Sequence, residues 1–233
     1  FGSRPDVVAG DRFIERGEQK QLKAVITDPT RHRTVLLGMR GCGKTQLAAA
    51  LAHTCEDAQW SLVAWMNAGS RAQLEGEFIE LARKLKIDLS DDPDQQHAVR
   101  RCLDQLRSAN ASDRLIVFDN VEDIEDLRDR IPRGTGLRVV ATTTSREADW
   151  EENGWKGVSV GVFSRVESIN YLLAVTGSQD RDTADAIAER LGDLPLAIAQ
   201  AAATARNEQW TLASYARRLE SSCGEKVIRR IRG

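Results

Sequence analysis

A glycine-rich turn followed by a lysine and a threonine is the part of the sequence best suited to chemistry. Residues 38–45 read Gly-Met-Arg-Gly-Cys-Gly-Lys-Thr and fit the pattern G-x-x-x-x-G-K-[ST]. In this pattern, backbone N–H groups surround phosphate oxygens, Lys44 reaches the outer phosphates, and Thr45 offers its hydroxyl to Mg²⁺. The turn predicts a site for a nucleoside di- or triphosphate. Its predicted ligands are Gly38, Met39, Arg40, Gly41, Cys42, Gly43, Lys44, Thr45 and Gln46.

A carboxylate at the end of another buried strand should help to hold the cation. Asp119 directly follows the apolar run from Leu115 to Phe118. An acid there could also stop the strand or cap a helix, but the phosphate loop favours the metal role. We therefore predict Thr45 and Asp119 as metal ligands, and Lys44 and Asp119 as catalytic residues.

Composition excludes several other classes of protein. The chain has 233 residues, of which 41% are hydrophobic and 29% charged, so it can bury a sizeable core. Its formal net charge of -2 argues against nucleic acid or an anionic membrane as a main partner. No apolar stretch approaches the ~18 residues needed to span a bilayer.

The four cysteines are scattered without metal-ligand spacing, which indicates a reducing cytoplasm and no zinc site. The sequence lacks an initiator methionine and a signal peptide, and Gly2-Ser3 looks like a remnant of cloning. We expect the chain to be part of a longer protein.

Apolar runs and helical spacing alternate through the first two thirds of the chain. This alternation predicts a doubly wound, mostly parallel α/β sheet of five strands. The helices between the strands should begin at capping patterns, Ser70 to Gln73 and Asp92-Pro93. The predicted strands are 35–37, 62–66, 115–118, 137–143 and 158–162. The charged run from Glu122 to Arg130 is interpreted as a solvated helix face.

From Ser164 onward only helical patterns occur, and the first begins with a capping box from Ser164 to Glu167. We therefore predict two domains, a P-loop α/β domain at 1–163 and a small helical bundle at 164–233.

These motifs resemble the NB-ARC domain of the STAND class of P-loop ATPases. The segment from Phe118 to Asp123 is similar to the family's Walker B segment, and 62–68 to its second strand. Leu191-Gly-Asp-Leu-Pro195-Leu-Ala resembles the family's Gly-Leu-Pro-Leu motif, which implies that Pro195 packs near adenine and sugar. Pro195 also suits the first turn of a helix.

The N-terminal part resembles the family less closely. Residues 13–18 are similar to a motif that contributes Arg16 to the adenine pocket, although Glu15 replaces the usual glycine. The C-terminal half resembles bacterial, actinobacterial members in which this domain precedes tetratricopeptide repeats. The resemblance implies an ARC1-like helical subdomain.

Two departures concern hydrolysis. Asn120 stands where the family often has an acid, and an amide cannot accept a proton from water. Thr144 stands where the sensor arginine is usual, and Arg146 follows two residues later. Arg146 either reaches the γ-phosphate as a third catalytic residue or is an ordinary solvated arginine.

The resemblance implies an ATP/ADP- and Mg²⁺-dependent regulatory switch in signal transduction, with slow or absent hydrolysis. Its implied partners are an adenine nucleotide and either a protein or C-terminal repeat domains, and it allows a nucleotide-dependent oligomer. One alternative is a turnover ATPase or nucleotide-dependent transferase with its substrate site elsewhere. A GTPase ranks last because the sequence lacks an Asn-Lys-x-Asp segment.

Overall fold

The computed structural model describes residues 1–2, 4–5, 16–27, 32–89, 94–108, 113–134 and 136–231. These residues divide into two compact units. The first comprises most of residues 1–40 and 44–160, and the second comprises 41–43 and the chain from Gly161. The division into domains at 163/164 stays a prediction.

The first unit contains a five-stranded parallel sheet with the order β2-β3-β4-β1-β5. The predicted α/β class is confirmed. Residues of β1, β3 and β4 are buried almost without interruption, as expected where helices cover both faces of a parallel sheet. The strands are β1 (Arg33–Leu37), β2 (Leu62–Asn67), β3 (Arg114–Val121), β4 (Leu137–Thr143) and β5 (Lys156–Ser159).

Five helices in the described residues accompany this sheet. Ser70 caps one of them as predicted, since its hydroxyl accepts a hydrogen bond from the Gln73 N–H at 3.4 Å. The predicted cap at Asp92-Pro93 lies outside the described residues. The core includes the fully buried Phe78, Phe118 and Trp150. The helices are α1 (Gly17–Thr27), α2 (Lys44–Asp57), α3 (Arg71–Lys84), α4 (Gln95–Ser108) and α5 (Glu147–Glu151).

Strand β5 lies two to three residues earlier than predicted, and its partner strand explains why. In the parallel pairing of β5 with β1, Lys156 lies opposite Thr34 and Ser159 lies opposite Leu37, the last residue of β1. The Val160 N–H donates to the Leu37 carbonyl at 2.7 Å. Because β1 ends there, β5 has no further partner and cannot continue to residue 162.

The charged run from Glu122 to Arg130 is mostly exposed, in agreement with the predicted solvated face, but it does not form a regular α-helix. Only Ile124–Leu127 forms a turn of 3₁₀ helix, and the Leu127 side chain is fully buried. Arg130 is also buried and forms an ion pair with Glu75 of α3. Leu127 and Arg130 therefore anchor an otherwise mostly exposed segment to the unit.

The second unit is helical, and its described residues contain no strand after Phe163. The predicted capping box is present: the Glu167 N–H donates to Ser164 Oγ at 3.3 Å, and the Ser164 N–H donates to Glu167 Oε2 at 2.6 Å. Ile187, Ile198 and small alanines form its core. The helices are α6 (Arg165–Thr176), α7 (Arg181–Arg190), α8 (Pro195–Asn207) and α9 (Leu212–Ile231). None of the helices in the described part of the chain has the length and apolar character to cross a membrane.

Candidate nucleotide-binding site

The predicted phosphate loop connects the end of β1 to the start of α2. The helix begins at Lys44, so its first N–H groups face the loop and have no partner within the helix. Gly41 has φ 82° and Gly43 has φ 98°, in the left-handed region where a side chain would strain the backbone. The loop conformation therefore depends on glycine at these two positions.

Lys44 is the nearly buried cation of the loop. Its Nζ donates to the carbonyl oxygens of Gly38 at 2.8 Å and Met39 at 2.9 Å, and the residue is only 9% exposed. A nearly buried ammonium group needs negative partners, which the two carbonyls supply in part. The phosphates of a nucleotide are stronger acceptors for the same group.

Asp119 joins the phosphate loop to the end of the sheet. Its Oδ1 accepts from the hydroxyl of Thr45 at 3.0 Å and from that of Thr142 at 2.6 Å. The two predicted metal ligands are thus in direct contact. A hydroxyl and a carboxylate are hard oxygen donors, and Mg²⁺ commonly takes one or two such protein ligands while phosphates and waters fill the remaining positions.

Thr142 is a site residue that the sequence analysis missed. It lies in β4, beside the β3 strand, and its Oγ1 also accepts from the Asn120 N–H at 2.8 Å. The ladder between β3 and β4 is irregular from Phe118 to Val121, and Asn120 has φ 63°. Thr142 thus holds the irregular segment by its side chain, where regular backbone pairing is interrupted.

We expect Thr142→Val to destabilise the protein. The substitution removes one hydrogen bond to a carboxylate and one from a backbone N–H, at a cost of about 2–4 kcal/mol. For a chain of this size this corresponds to a decrease in melting temperature of roughly 4–16 °C. Thr142→Ser keeps the hydroxyl and serves as the control in the same thermal melt. Equal melting temperatures for the valine and serine variants would contradict this role.

The side chain of Asn120 lies near the end of β2. A Cβ atom at Gly69 would be 3.3 Å from Asn120 Nδ2, 3.4 Å from Asn67 Oδ1 and 3.0 Å from Gln73 Oε1. Three amide side chains therefore gather around this glycine. The carboxyl group of Glu77 lies near these amides, and its Oε1 accepts a hydrogen bond from the Asn67 N–H at 3.5 Å. Burial raises the pKa of this carboxyl group.

Arg146 lies just after β4, where it directly precedes α5. Its side chain is exposed, and no hydrogen bond or ion pair joins it to another described residue. Thr144 beside it is also exposed. The turn itself is anchored, because Ser145 Oγ accepts from Trp150 Nε1 at 2.7 Å and the Ser145 N–H donates to Thr143 Oγ1 at 3.1 Å. The catalytic role of Arg146 stays a prediction.

The two residues predicted for the adenine pocket lie at the starts of helices. Arg16 directly precedes α1, is 7% exposed, and contacts Glu18 Oε1 through its guanidinium at 3.0 Å. Residues 13–15 of its motif lie outside the described residues. Pro195 is buried and is the first residue of α8, where a proline costs no helical hydrogen bond. Their roles toward a nucleotide stay predictions.

Comparison with known proteins identifies the family. The NB-ARC domain model matches residues 19–182, well over half of the chain. The chain belongs to the NB-ARC domain family. The resemblance found in the sequence is therefore confirmed at the level of the family, and this NB-ARC domain is a nucleotide-binding P-loop NTPase domain.

A curated relative from the fungus Hyaloscypha variabilis is described as a nucleotide-binding leucine-rich repeat (NLR)-like protein. It is 24% identical over 240 residues, a match that covers 91% of this chain and 24% of the relative. The chain thus spans about a quarter of the length of the curated relative. The bacterial, actinobacterial subtype is not confirmed by this match.

Solved structures support the fold of this NB-ARC domain. Cdc6p from Pyrobaculum aerophilum has a TM-score of 0.60 at 18% identity, covering 89% of this chain and 66% of that one. A RuvB point mutant from Thermogota maritima has a TM-score of 0.52 at 17% identity, covering 88% and 65%. These similarities confirm the α/β P-loop fold.

Proposed function

We propose that this NB-ARC domain is an ATP/ADP-dependent regulatory switch with slow or absent hydrolysis. The observation that carries the proposal is the contrast within one site. Lys44, Thr45 and Asp119 supply an ammonium, a hydroxyl and a carboxylate that suit phosphate and metal, and the last two are in direct contact. Asn120, next to the acid, supplies an amide where hydrolysis would need a base.

We propose Mg²⁺ as the metal, with Thr45 and Asp119 as its protein ligands. The metal would neutralise charge on the phosphates. Thr45 would offer a lone pair of its hydroxyl oxygen to the metal while the hydroxyl still donates its hydrogen to Asp119, and Thr142 would keep its own hydrogen bond to Asp119. The remaining residues of the loop would surround the phosphates with their N–H groups, and the Lys44 ammonium would move from two carbonyls to phosphate oxygens.

We propose adenine as the base of the nucleotide. The sequence lacks an Asn-Lys-x-Asp segment for guanine, and the family motifs that carry Arg16 and Pro195 imply an adenine pocket. Arg146 is the candidate sensor of the γ-phosphate, and its exposed side chain can adopt another rotamer at little cost.

We also propose a signalling role, a class of partner and a cellular compartment for this domain. As a STAND-type domain it would couple the identity of the bound nucleotide to the orientation of its helical unit, and so signal to a protein partner or to C-terminal repeat domains in the cytoplasm. Assembly into an oligomer would follow the nucleotide state. A turnover ATPase or transferase is the alternative, and Asn120 argues against it.

Nucleotide release and thermal stability together test this proposal. Denaturing the purified protein should release ADP. A ligand at 100 times its Kd adds about 2.7 kcal/mol to the free energy of unfolding. For this chain ADP should therefore raise the melting temperature by roughly 5–10 °C. Stabilisation by GDP but not by ADP, or by neither, would contradict the proposal.

A further inference from the structure

Arg165 and Asp193 form a bidentate ion pair within the helical unit. Arg165 is the first residue of α6, and Asp193 lies in the turn between α7 and α8. Nε donates to Oδ1 at 3.0 Å, and a terminal nitrogen donates to Oδ2 at 3.0 Å. The guanidinium also donates to Asp185 Oδ1 at 3.1 Å. Two parallel hydrogen bonds fix the orientation of the carboxylate, which a single contact cannot do.

The backbone of Asp193 is fixed as well. Its φ of 54° lies in the left-handed region, which aspartate and asparagine tolerate better than most residues. Its N–H donates to the Ala188 carbonyl, and its carbonyl accepts from the Phe163 N–H, each at 3.0 Å. The hydrogen bonds from the Arg165 guanidinium also hold the pKa of the Asp193 carboxyl below its usual range. The turn is therefore held by one residue through both backbone and side chain.

This turn leads to a contact with the phosphate loop. The Leu196 N–H, in the first turn of α8, donates to the Gly41 carbonyl at 3.0 Å, and both residues belong to the second unit. A Cβ atom at Gly41 would be only 3.1 Å from the Cβ of Leu196. The two chain segments thus approach more closely than a side chain at position 41 would normally allow.

Burial does not hold Leu196 in this place. Its side chain is 61% exposed, so little apolar surface favours the position. The residues that precede Leu196 must therefore fix its position. These are Pro195, whose φ is restricted, and Asp193, which is anchored by its hydrogen bonds. An ion pair on a partly exposed surface contributes little to overall stability, so its effect here would be geometric.

We propose that Arg165 and Asp193 are positioning residues for nucleotide binding, because their pair places the Leu196 N–H against the Gly41 carbonyl of the phosphate loop. The inference rests on the proposed function and deepens it. Without the pair the turn would sample other positions, and the loop would have to be ordered by the nucleotide itself. Affinity for ADP would fall, whereas the fold of the unit would remain.

The test compares Asp193→Asn with Asp185→Asn in calorimetric titrations with ADP. Asparagine keeps the side-chain shape and tolerates the left-handed backbone conformation of Asp193, but it removes the negative charge that pairs with Arg165. We expect ADP to bind about 5- to 20-fold more weakly to Asp193→Asn. Asp185→Asn is the matched control, since it removes the other partner of the same arginine and leaves the turn anchored, and its ADP affinity should equal that of the wild type.

Two further measurements separate positioning from a general structural role. The melting temperature without nucleotide should be nearly the same for both variants. Arg165→Lys keeps the positive charge but cannot form the bidentate pair, so it should weaken ADP binding as Asp193→Asn does. The double variant should bind ADP no more weakly than either single variant. A larger loss in the combined variant would overturn the inference, because the two residues would then act separately.

Three other outcomes would also overturn the inference: wild-type ADP affinity in Asp193→Asn, equal weakening in Asp185→Asn, and a weakening accompanied by a comparable loss of melting temperature. Failure of the proposed function is distinguishable from all of them, because it would appear as absent ADP binding in the wild type.

Discussion

Replacing Lys44 by alanine should abolish tight binding of ADP and ATP. The ammonium lies in the loop within 2.9 Å of two backbone carbonyls and is almost shielded from solvent. Each charge-assisted hydrogen bond that it makes to phosphate contributes about 1.5–3 kcal/mol. Loss of two such bonds corresponds to a decrease in affinity of roughly 10²- to 10⁴-fold. Calorimetric titration with each nucleotide measures it.

Lys84→Ala is the matched control. Lys84 is an exposed lysine in the last turn of α3, and replacing it removes the same charge from the same unit. Its affinity for ADP should equal that of the wild type. A melt without nucleotide checks that Lys44→Ala remains folded. If the folded Lys44→Ala variant binds ADP as tightly as the wild type, residues 38–45 are not the phosphate-binding loop, and the proposed switch is contradicted as well.

Local patterns made the loop and most elements predictable. The glycines, Lys44 and Thr45 stand within eight consecutive residues, so their chemistry depends on one turn. The capping box at Ser164 depends on four residues, and both of its hydrogen bonds are present. The bounds of β4 agree with the prediction because a β-branched run fills a central strand that is buried on both faces.

Features set by distant partners were not predictable in the same way. Thr142 contacts Asp119 only because β4 lies beside β3, and strand order is not visible in either segment alone. A threonine at the end of the strand next to the acid is the signal that could have found it. The end of β5 follows from the end of β1, and Arg130 is buried because Glu75 of α3 pairs with it.

Asn120→Asp should increase the rate of ATP hydrolysis. In the wild type an amide stands beside Asp119, the predicted metal ligand, and removal of a general base typically costs about 10²- to 10⁴-fold in rate. We therefore expect turnover of ATP well below about 1 s⁻¹, compared with a median of about 10 s⁻¹ for enzymes.

The structure favours aspartate as the replacement. Position 120 has φ 63°, which aspartate tolerates as asparagine does, and the backbone N–H that donates to Thr142 is unchanged. A carboxylate next to Asp119 would also have its pKa raised by the like charge, which brings it nearer to that of an effective base at neutral pH. A phosphate-release assay with saturating Mg-ATP should show an increase of about 10- to 100-fold.

Asn153→Asp is the control, since Asn153 is an exposed amide in the turn that precedes β5, at the end of the parallel sheet opposite to the end of β3 where Asp119 lies. It adds the same charge without placing a carboxylate next to Asp119, so its rate should stay at the wild-type level. Wild-type turnover above about 1 s⁻¹ would contradict the switch. Slow turnover that Asn120→Asp leaves unchanged would show that the amide is not what limits hydrolysis, and equal acceleration by both variants would assign the effect to charge alone.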